Sequence, residues 1–192
     1  TPEAPELQNL FRDMVDASVA NVAMEVSSHG IGMSRVHNTA FSVGVFTGIG
    51  SHHLDFHGTH EAYAETKVNW LLEQVQNSPT MRGVVVPHDD DYGQEVFAEF
   101  RGPVLTYGFD SNADIYPDQI DLSPTGSRGR IHTPDGALTF SIRIPGRHNV
   151  LNAMAAIGTA HLMGLEPICA VEGLQRFSGV SAWKDPVSPF IS

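Results

Sequence analysis

Three short stretches of this sequence hold side chains that could carry out chemistry. The first runs from residue 24 to residue 30 and places Glu25 at the end of an apolar run, before two hydroxyl residues and His29. A carboxylate at the carboxyl end of a buried strand suits a hard cation and phosphates, because ligands bind in the crevice beyond such strand ends. The alternative is an acid that caps the following turn, and spacing alone leaves both interpretations open.

The second stretch is rich in histidine. Within nine residues the chain carries His52, His53, His57 and His60. Neutral imidazole is a common metal ligand, so this pattern indicates either a metal cluster or solvated loop histidines. Lys67 follows on a predicted helix, where a lysine ordinarily extends to the surface and a chemically modified amine is the alternative.

The third stretch opens a predicted helix near residue 148. Asn149 and Asn152 are three residues apart there, so both side chains lie on one face of the helix. Side-chain amides donate and accept hydrogen bonds and can match the edge of a purine. Capping of the helix is the alternative for Asn149, and it explains Asn152 poorly.

The composition limits the classes of function. The 192 residues are 41% hydrophobic and 17% charged, which predicts a globular chain, and the net charge of −11 argues against binding to nucleic acid or to acidic membranes. A single cysteine, Cys169, excludes an intramolecular disulfide framework. No apolar run is long enough to span a membrane and no signal peptide is recognisable, so we expect a cytoplasmic setting.

Hydrophobic spacing predicts the elements that position these side chains. Apolar residues at three- and four-residue intervals predict a first helix over residues 7–19, and later helices over 61–75, 91–100, 148–163 and 167–177. Buried parallel strands are predicted at residues 21–26, 41–46 and 82–86, and turn residues at 124–126 and 134–136 predict a small antiparallel β region over 113–145. The fold class is therefore α/β, a mostly parallel open sheet wrapped by helices.

Six pieces of the sequence occur together in an order and spacing typical of one family. They are residues 1–3, 24–29, 46–47, 53–58, 63–67 and 148–153. Together they resemble the Mur ligases, of the UDP-N-acetylmuramoyl-tripeptide synthetase (MurE) type. The resemblance implies that residues 1–180 are the central, P-loop-NTPase-like domain without its N-terminal phosphate loop, and that residues 181–192 begin the linker toward a C-terminal domain.

The resemblance also implies an activity. Such ligases use ATP and Mg²⁺ to add the third amino acid, diaminopimelate or lysine, to UDP-MurNAc-dipeptide through an acyl phosphate during peptidoglycan synthesis. The implied metal and catalytic residues are Glu25, His53 and a carbamylated Lys67. The implied adenine contacts are Asn149 and Asn152, and the implied contacts to the UDP-MurNAc-peptide are Thr1, Ser27 and Arg35.

Two further hypotheses remain open from the sequence. No Gly-Lys-Ser/Thr motif occurs in the 192 residues, so we expect weak triphosphate binding and no turnover by this stretch alone. The chain departs from the usual residues of the family at four positions, Gly48, His52, Met33 and Pro87. These departures motivate the hypothesis of a degenerate domain that binds a nucleotide sugar or a partner without catalysis. The other hypothesis is a metallohydrolase built on the histidine cluster.

Overall fold

The computed structural model describes residues 1–49 and 57–177. Its helices are α1 (Ala4–Asp16), α2 (Ser28–Gly32), α3 (His60–Asn69), α4 (Asp91–Glu99), α5 (Arg147–Leu162) and α6 (Pro167–Arg176), and α3 continues into a π-helical segment, Trp70–Val75. The strands are β1 (Val43–Val45), β2 (Gly83–Pro87), β3 (Val104–Tyr107), β4 (Tyr116–Ser123), β5 (Gly126–Thr133) and β6 (Gly136–Ile142). They form two sheets of three strands each.

The first sheet is parallel, in the order β1-β2-β3. Its central strand β2 is the valine run that the sequence marks as a buried strand. Successive side chains of a strand point to opposite faces, so Val84 and Val86 face one side of the sheet and Val85 faces the other. All three valines are fully buried, which is the pattern expected when helices cover both faces of a parallel sheet.

Each face of β2 belongs to a separate hydrophobic cluster. Val84 and Val86 pack with residues of α3, the π-helical segment and α4, among them Leu71 and Val96. Val85 packs against α5, whose Met154 is completely buried. These clusters hold a layer of helices on each face of the sheet. The ends of the strands are left accessible.

The second sheet is antiparallel, in the order β4-β5-β6. Its Phe140 and Ile131 join the cluster that contains Val85 and Met154. The two sheets therefore share one core, and an isolated parallel bridge between Tyr107 of β3 and Ile115, just before β4, joins them.

Most of the predicted elements are confirmed, including the antiparallel region and its two turns. The strand predicted at residues 21–26 is wrong: residues 21–27 carry no regular secondary structure, and Asn21, Val22 and Glu25 are exposed. A strand exists only through pairing with a neighbour, and in the described sheet β1 pairs with β2 alone. The parallel strand β3 was not predicted, and among the described residues no helix is long and apolar enough to cross a membrane.

Candidate functional site

Thr1, Ser27 and Arg35 meet in one hydrogen-bonded group. The backbone N–H of Ser27 donates to Thr1 Oγ1 at 3.0 Å, and the two side-chain oxygens are 3.3 Å apart. The guanidinium of Arg35 donates from Nη1 to the Thr1 carbonyl at 3.0 Å, and its Nη2 forms an ion pair with Glu3. The structure thus brings together three residues, far apart in the sequence, that the resemblance assigns to the nucleotide-sugar substrate.

Local sequence explains why this group forms. Ser27 is the N-cap of α2, and its hydroxyl accepts from the N–H of Gly30, as expected of serine before a helix. Gly30 has no side chain to separate α2 from the chain start, since a Cβ there would lie 2.8 Å from Thr1 Cβ. Within the described residues, the Nε of Arg35 is buried and has no hydrogen-bond partner, which leaves donor capacity beside Thr1.

Glu25 lies next to this group but not at the end of a strand. Its carbonyl oxygen is 3.2 Å from Thr1 Oγ1, which donates to it, and the residue is exposed. The prediction that Glu25 sits at a strand tip is therefore wrong, because residues 21–27 form no ladder. Its proposed role as a metal ligand does not depend on strand geometry and remains a prediction.

A row of aromatic rings connects α2 to Lys67. The rings of His29 and His57 are 6.1 Å apart between centroids, and those of His57 and Tyr63 are 5.3 Å apart. The ammonium of Lys67 lies 5.3 Å from the centroid of the Tyr63 ring. Lys67 is half-buried and makes no ion pair with any described residue. His53, the third predicted metal ligand, and His52 lie outside the described residues.

A pocket of about 370 Å³ opens at the carboxyl ends of the parallel strands. Its lining includes Asp89 and Asp90 after β2, Phe109 after β3, and Arg147 at the start of α5. The Arg147 guanidinium lies 3.4 Å from the centroid of the Phe109 ring, a cation–π contact that fixes one wall of the pocket. Asn152 also lines this pocket, on the face that α5 turns toward the sheet ends.

The floor of that pocket is held by a buried tyrosine. Tyr107, the last residue of β3, donates its hydroxyl to the carbonyl of Phe46 at 3.0 Å. Burial, helped by the nearby Asp90 carboxylate, raises the pKa of the Tyr107 hydroxyl. The hydroxyl therefore keeps its proton and remains a donor at neutral pH.

Asn149 and Asn152 line a second, mostly apolar cavity of about 430 Å³ between α5, α6 and the end of β6. The N-cap of α5 is Gly146, and the Asn149 amide donates from Nδ2 to the Pro145 carbonyl at 2.7 Å. Asn149 thus holds the turn before the helix and does not cap it. Asn152 is exposed and borders both cavities, so it is free to face a ligand from either one.

Sequence reasoning missed several residues of this region. Gly30 and Tyr107 were not predicted as site residues, and neither was the stacked pair of Phe109 and Arg147. The available signal was position: Asp89 and Phe109 directly follow the ends of parallel strands, where ligands collect. The contact of Gly30 with Thr1 has no local signal, because it joins two segments that only the fold brings together.

Comparison with known proteins identifies the family of the chain. The model of the Mur ligase middle domain matches residues 1–160. The UDP-N-acetylmuramoyl-L-alanyl-D-glutamate–2,6-diaminopimelate ligase of Geobacter metallireducens is 35% identical over 177 residues, which are 91% of this chain and 35% of that protein. A solved structure of a ligase of the same name superposes with a TM-score of 0.83 at 26% identity, over 94% of this chain and 37% of that one.

A more distant structure agrees in fold alone. The MurF ligase of Thermotoga maritima, solved in complex with ADP, superposes with a TM-score of 0.62 at 20% identity, over 77% of this chain and 33% of that one. The chain thus spans about a third of the length of the proteins it matches. Because the family model matches residues 1–160, most of the sequence, the chain belongs to the Mur ligase family, as a middle domain.

Proposed function

We propose that this chain is the central domain of an ATP-dependent ligase that joins diaminopimelate to UDP-MurNAc-dipeptide. In this reaction the γ-phosphoryl group of ATP passes to the substrate carboxylate, and the amine of the amino acid then displaces phosphate to form an amide. The observation that carries the proposal is the hydrogen-bonded group of Thr1, Ser27 and Arg35. The relative from Geobacter metallireducens is a 2,6-diaminopimelate ligase, which supports diaminopimelate as the incoming amino acid.

Arg35 is the residue we assign to an anionic group of the nucleotide-sugar substrate. Its guanidinium is partly buried, with about 21% of the side chain exposed, and it is oriented by the Thr1 carbonyl and by Glu3. A guanidinium held in this way loses little conformational freedom on binding an anion. Thr1 and Ser27 supply hydroxyl groups beside it that can donate to the same ligand.

Glu25, His53 and Lys67 are the residues we assign to Mg²⁺. The described residues fit a cation in part: Glu25 offers an exposed carboxylate, and Lys67 is half-buried and makes no ion pair with a described residue. An ammonium at Lys67 would repel a metal ion, whereas a carbamate there would add oxygen ligands of the kind that Mg²⁺ prefers. When bound, Mg²⁺ supplies charge neutralisation at the transferring phosphoryl group.

Asn149 and Asn152 are the residues we assign to adenine, in the region where the strand-end pocket and the apolar cavity meet. Asn152 borders both, and the Asn149 amide is oriented by its bond to Pro145. The wall of Phe109 and Arg147 gives the pocket one aromatic and cationic side. An aromatic wall suits a nucleobase and a cation suits phosphate.

We further propose that residues 1–180 form the central domain, that residues 181–192 begin a linker, and that other domains of a longer protein complete the site. This chain covers only about a third of the length of its relatives, which supports that arrangement. The requirement for ATP and a nucleotide-activated sugar supports a cytoplasmic reaction.

The experiment that tests this function separates the two substrates by their KM values. It uses the protein that carries this chain with its flanking domains, and it measures phosphate release that depends on the dipeptide and on diaminopimelate. We expect Arg35→Ala to raise KM for the nucleotide sugar about tenfold or more, since a hydrogen bond to a charged group contributes roughly 1.5–3 kcal/mol. Asn152→Ala should instead raise KM for ATP.

Matched controls are Arg12→Ala and Asn9→Ala on α1, where both side chains are exposed and neither forms a hydrogen bond or ion pair with Thr1, Ser27 or Arg35. They should leave both KM values unchanged. Absence of any phosphate release would refute the catalytic proposal and favour a domain that binds without turnover. Full turnover by the 192 residues alone would refute the need for other domains.

A further inference from the structure

Three side chains with metal-binding atoms converge beside the strand-end pocket. His88 and Asp89 directly follow β2, and Asp110 follows β3 by three residues. Each offers one ligand atom, a ring nitrogen or a carboxylate oxygen, and these atoms all lie within 4.8 Å of one another. No residue of this set belongs to the sites assigned above to Mg²⁺, to the nucleotide sugar or to adenine.

The backbone that carries this set is well held. The N–H of His88 donates to the Tyr107 carbonyl at 2.7 Å, which extends the pairing of β2 and β3 past their ends. Gly108 leaves room for the carboxylate, because a Cβ there would lie 3.1 Å from Asp89 Oδ2 and 3.3 Å from His88 Cβ. The three side chains therefore start from fixed and closely spaced backbone positions.

Each of these side chains keeps at least one ligand atom without another contact within the described residues. His88 and Asp89 make no side-chain hydrogen bond there, and neither carboxylate of the set has an ion pair with lysine or arginine. Asp110 accepts one bond, from the N–H of Asn112 to Oδ1, and keeps its other oxygen. Two carboxylates this close, in a chain with a net charge of −11, favour a bound cation.

We propose that His88, Asp89 and Asp110 bind a divalent transition-metal ion such as Mn²⁺, Co²⁺ or Zn²⁺. Ligand–metal distances near 2.1 Å place opposite ligands about 4 Å apart, so small rotations of the half-exposed His88 and the two exposed aspartates close the set around an ion. One imidazole nitrogen with two carboxylate oxygens favours these metals over Mg²⁺, which binds almost entirely through oxygen. Three protein ligands also leave positions open for water or for an anionic ligand.

The ion would lie at the rim of the strand-end pocket, because Asp89 also lines that pocket. A cation bound there would offset the negative charge of Asp89 and Asp90 at the rim. The pocket would then accept anionic ligands more readily. This inference concerns metal binding alone, so it stands or fails separately from the ligase proposal.

The test measures Mn²⁺ binding by the full 192-residue chain in millimolar excess of Mg²⁺, which fills hard-cation sites. Equilibrium dialysis should show one bound equivalent that His88→Ala and Asp110→Asn weaken about tenfold or more, since even indirect changes around a metal cost ten- to a hundredfold in affinity. His37→Ala and Asp13→Asn are matched controls at exposed positions, and they should bind as the parent does.

A spectroscopic measurement identifies the ligand. Electron spin echo modulation of bound Mn²⁺ should show nitrogen coupling that disappears in His88→Ala. Coupling that persists in that variant would place the metal on other histidines and overturn the proposal, as would unchanged binding in Asp110→Asn. Circular dichroism checks folding, and if His88→Ala fails to fold, Asp89→Asn and Asp110→Asn decide the outcome on their own.

Discussion

Gly30 determines how closely α2 approaches the first residue of the chain. A Cβ at this position would lie 2.8 Å from Thr1 Cβ and 2.9 Å from Thr1 Oγ1, both shorter than an ordinary contact. We expect Gly30→Ala to displace Thr1, to break its bond with the Ser27 N–H, and to raise KM for the nucleotide sugar about tenfold. Steady-state kinetics of the complete enzyme measure this change.

Gly173→Ala is the matched control, because a Cβ there meets nothing within 4 Å and the residue lies inside α6. It should leave that KM unchanged and stabilise the chain by about 0.5–1 kcal/mol, since alanine restricts the unfolded chain more than glycine does. Urea denaturation measures the gain. Equal KM values for Gly30→Ala and Gly173→Ala would mean that Thr1 does not contact the substrate.

Asp118 makes the antiparallel sheet sensitive to acid. Hydrogen bonds from Arg130 and His132 hold the pKa of the Asp118 carboxyl well below its usual 3.8. A carboxylate whose pKa is depressed by folding stabilises the fold above its unfolded pKa and loses that contribution as the pH falls below it. The melting temperature of the parent chain should therefore decrease as the pH falls below the usual pKa of aspartate. The melting temperature of Asp118→Asn should decrease less over the same pH range.

The same variant should be less stable than the parent at neutral pH, where the charged pair is present. Asp121→Asn is the control on the same strand, since it removes one exposed ion pair with Arg128. Thermal denaturation at a series of pH values compares all three chains. If the parent and Asp118→Asn lost stability in parallel, the bonds of Asp118 would not be the source of the pH dependence.

At the residue scale, the family resemblance was the signal that grouped one set of side chains correctly. Thr1, Ser27 and Arg35 were predicted together and do lie together. Gly30 was not, because a glycine required by close approach looks like any other glycine until the approaching segment is known. His88 and Asp110 were missed for a related reason: they come from different strand ends, and only strand pairing makes them neighbours.

Tyr107 connects two strands that do not pair directly. Its hydroxyl, at the end of β3, reaches the carbonyl of Phe46 just beyond β1 and passes over the end of β2. Tyr107→Phe removes the donor and leaves a buried carbonyl, which should cost about 1–3 kcal/mol of the free energy of unfolding. Urea denaturation measures this cost.

Tyr92→Phe is the control, since the Tyr92 hydroxyl makes no hydrogen bond to a described residue. It should change the stability by less than about 0.5 kcal/mol. Equal stability of the two variants would show that the bond from Tyr107 contributes nothing to holding the strand ends.

At the element scale, turn chemistry and helical spacing were the reliable signals. The glycines at positions 126, 136 and 164 adopt positive φ where the turns and the end of α5 require it. The strand predicted from the short apolar run at residues 21–26 was wrong. Such a run has the composition of a strand, but it forms one only when an adjacent strand pairs with it. The four-residue strand β3 was missed, since its run is short and follows Pro103.

The two sheets should unfold together because they share one core. Met154 of α5 is completely buried in the cluster that joins Val85 of the parallel sheet to Phe140 of the antiparallel sheet. We expect Met154→Ala to destabilise the chain by about 2–5 kcal/mol and to keep a single transition. Far-ultraviolet circular dichroism and tryptophan fluorescence should give the same midpoint.

Leu122→Ala is the control, at a β4 side chain that is 48% exposed, and it should cost far less. Two separated transitions in the parent or in Met154→Ala would show that the antiparallel sheet folds as an independent unit. At this largest scale the α/β class was predictable, since alternating strands and helices identify it, whereas the joint core was not, because it depends on contacts between distant segments.

Because both faces of β2 are buried, evolutionary changes in the core and changes at the strand-end pocket have different consequences. The three valines of β2 are committed to packing, whereas Thr47, Asp89 and Asn152 border a pocket that no hydrophobic cluster fills. Substitutions at that rim can alter ligand binding at almost no cost in stability, because they leave the interior unchanged. A lineage with this architecture can therefore exchange one ligand for another while its scaffold is inherited intact.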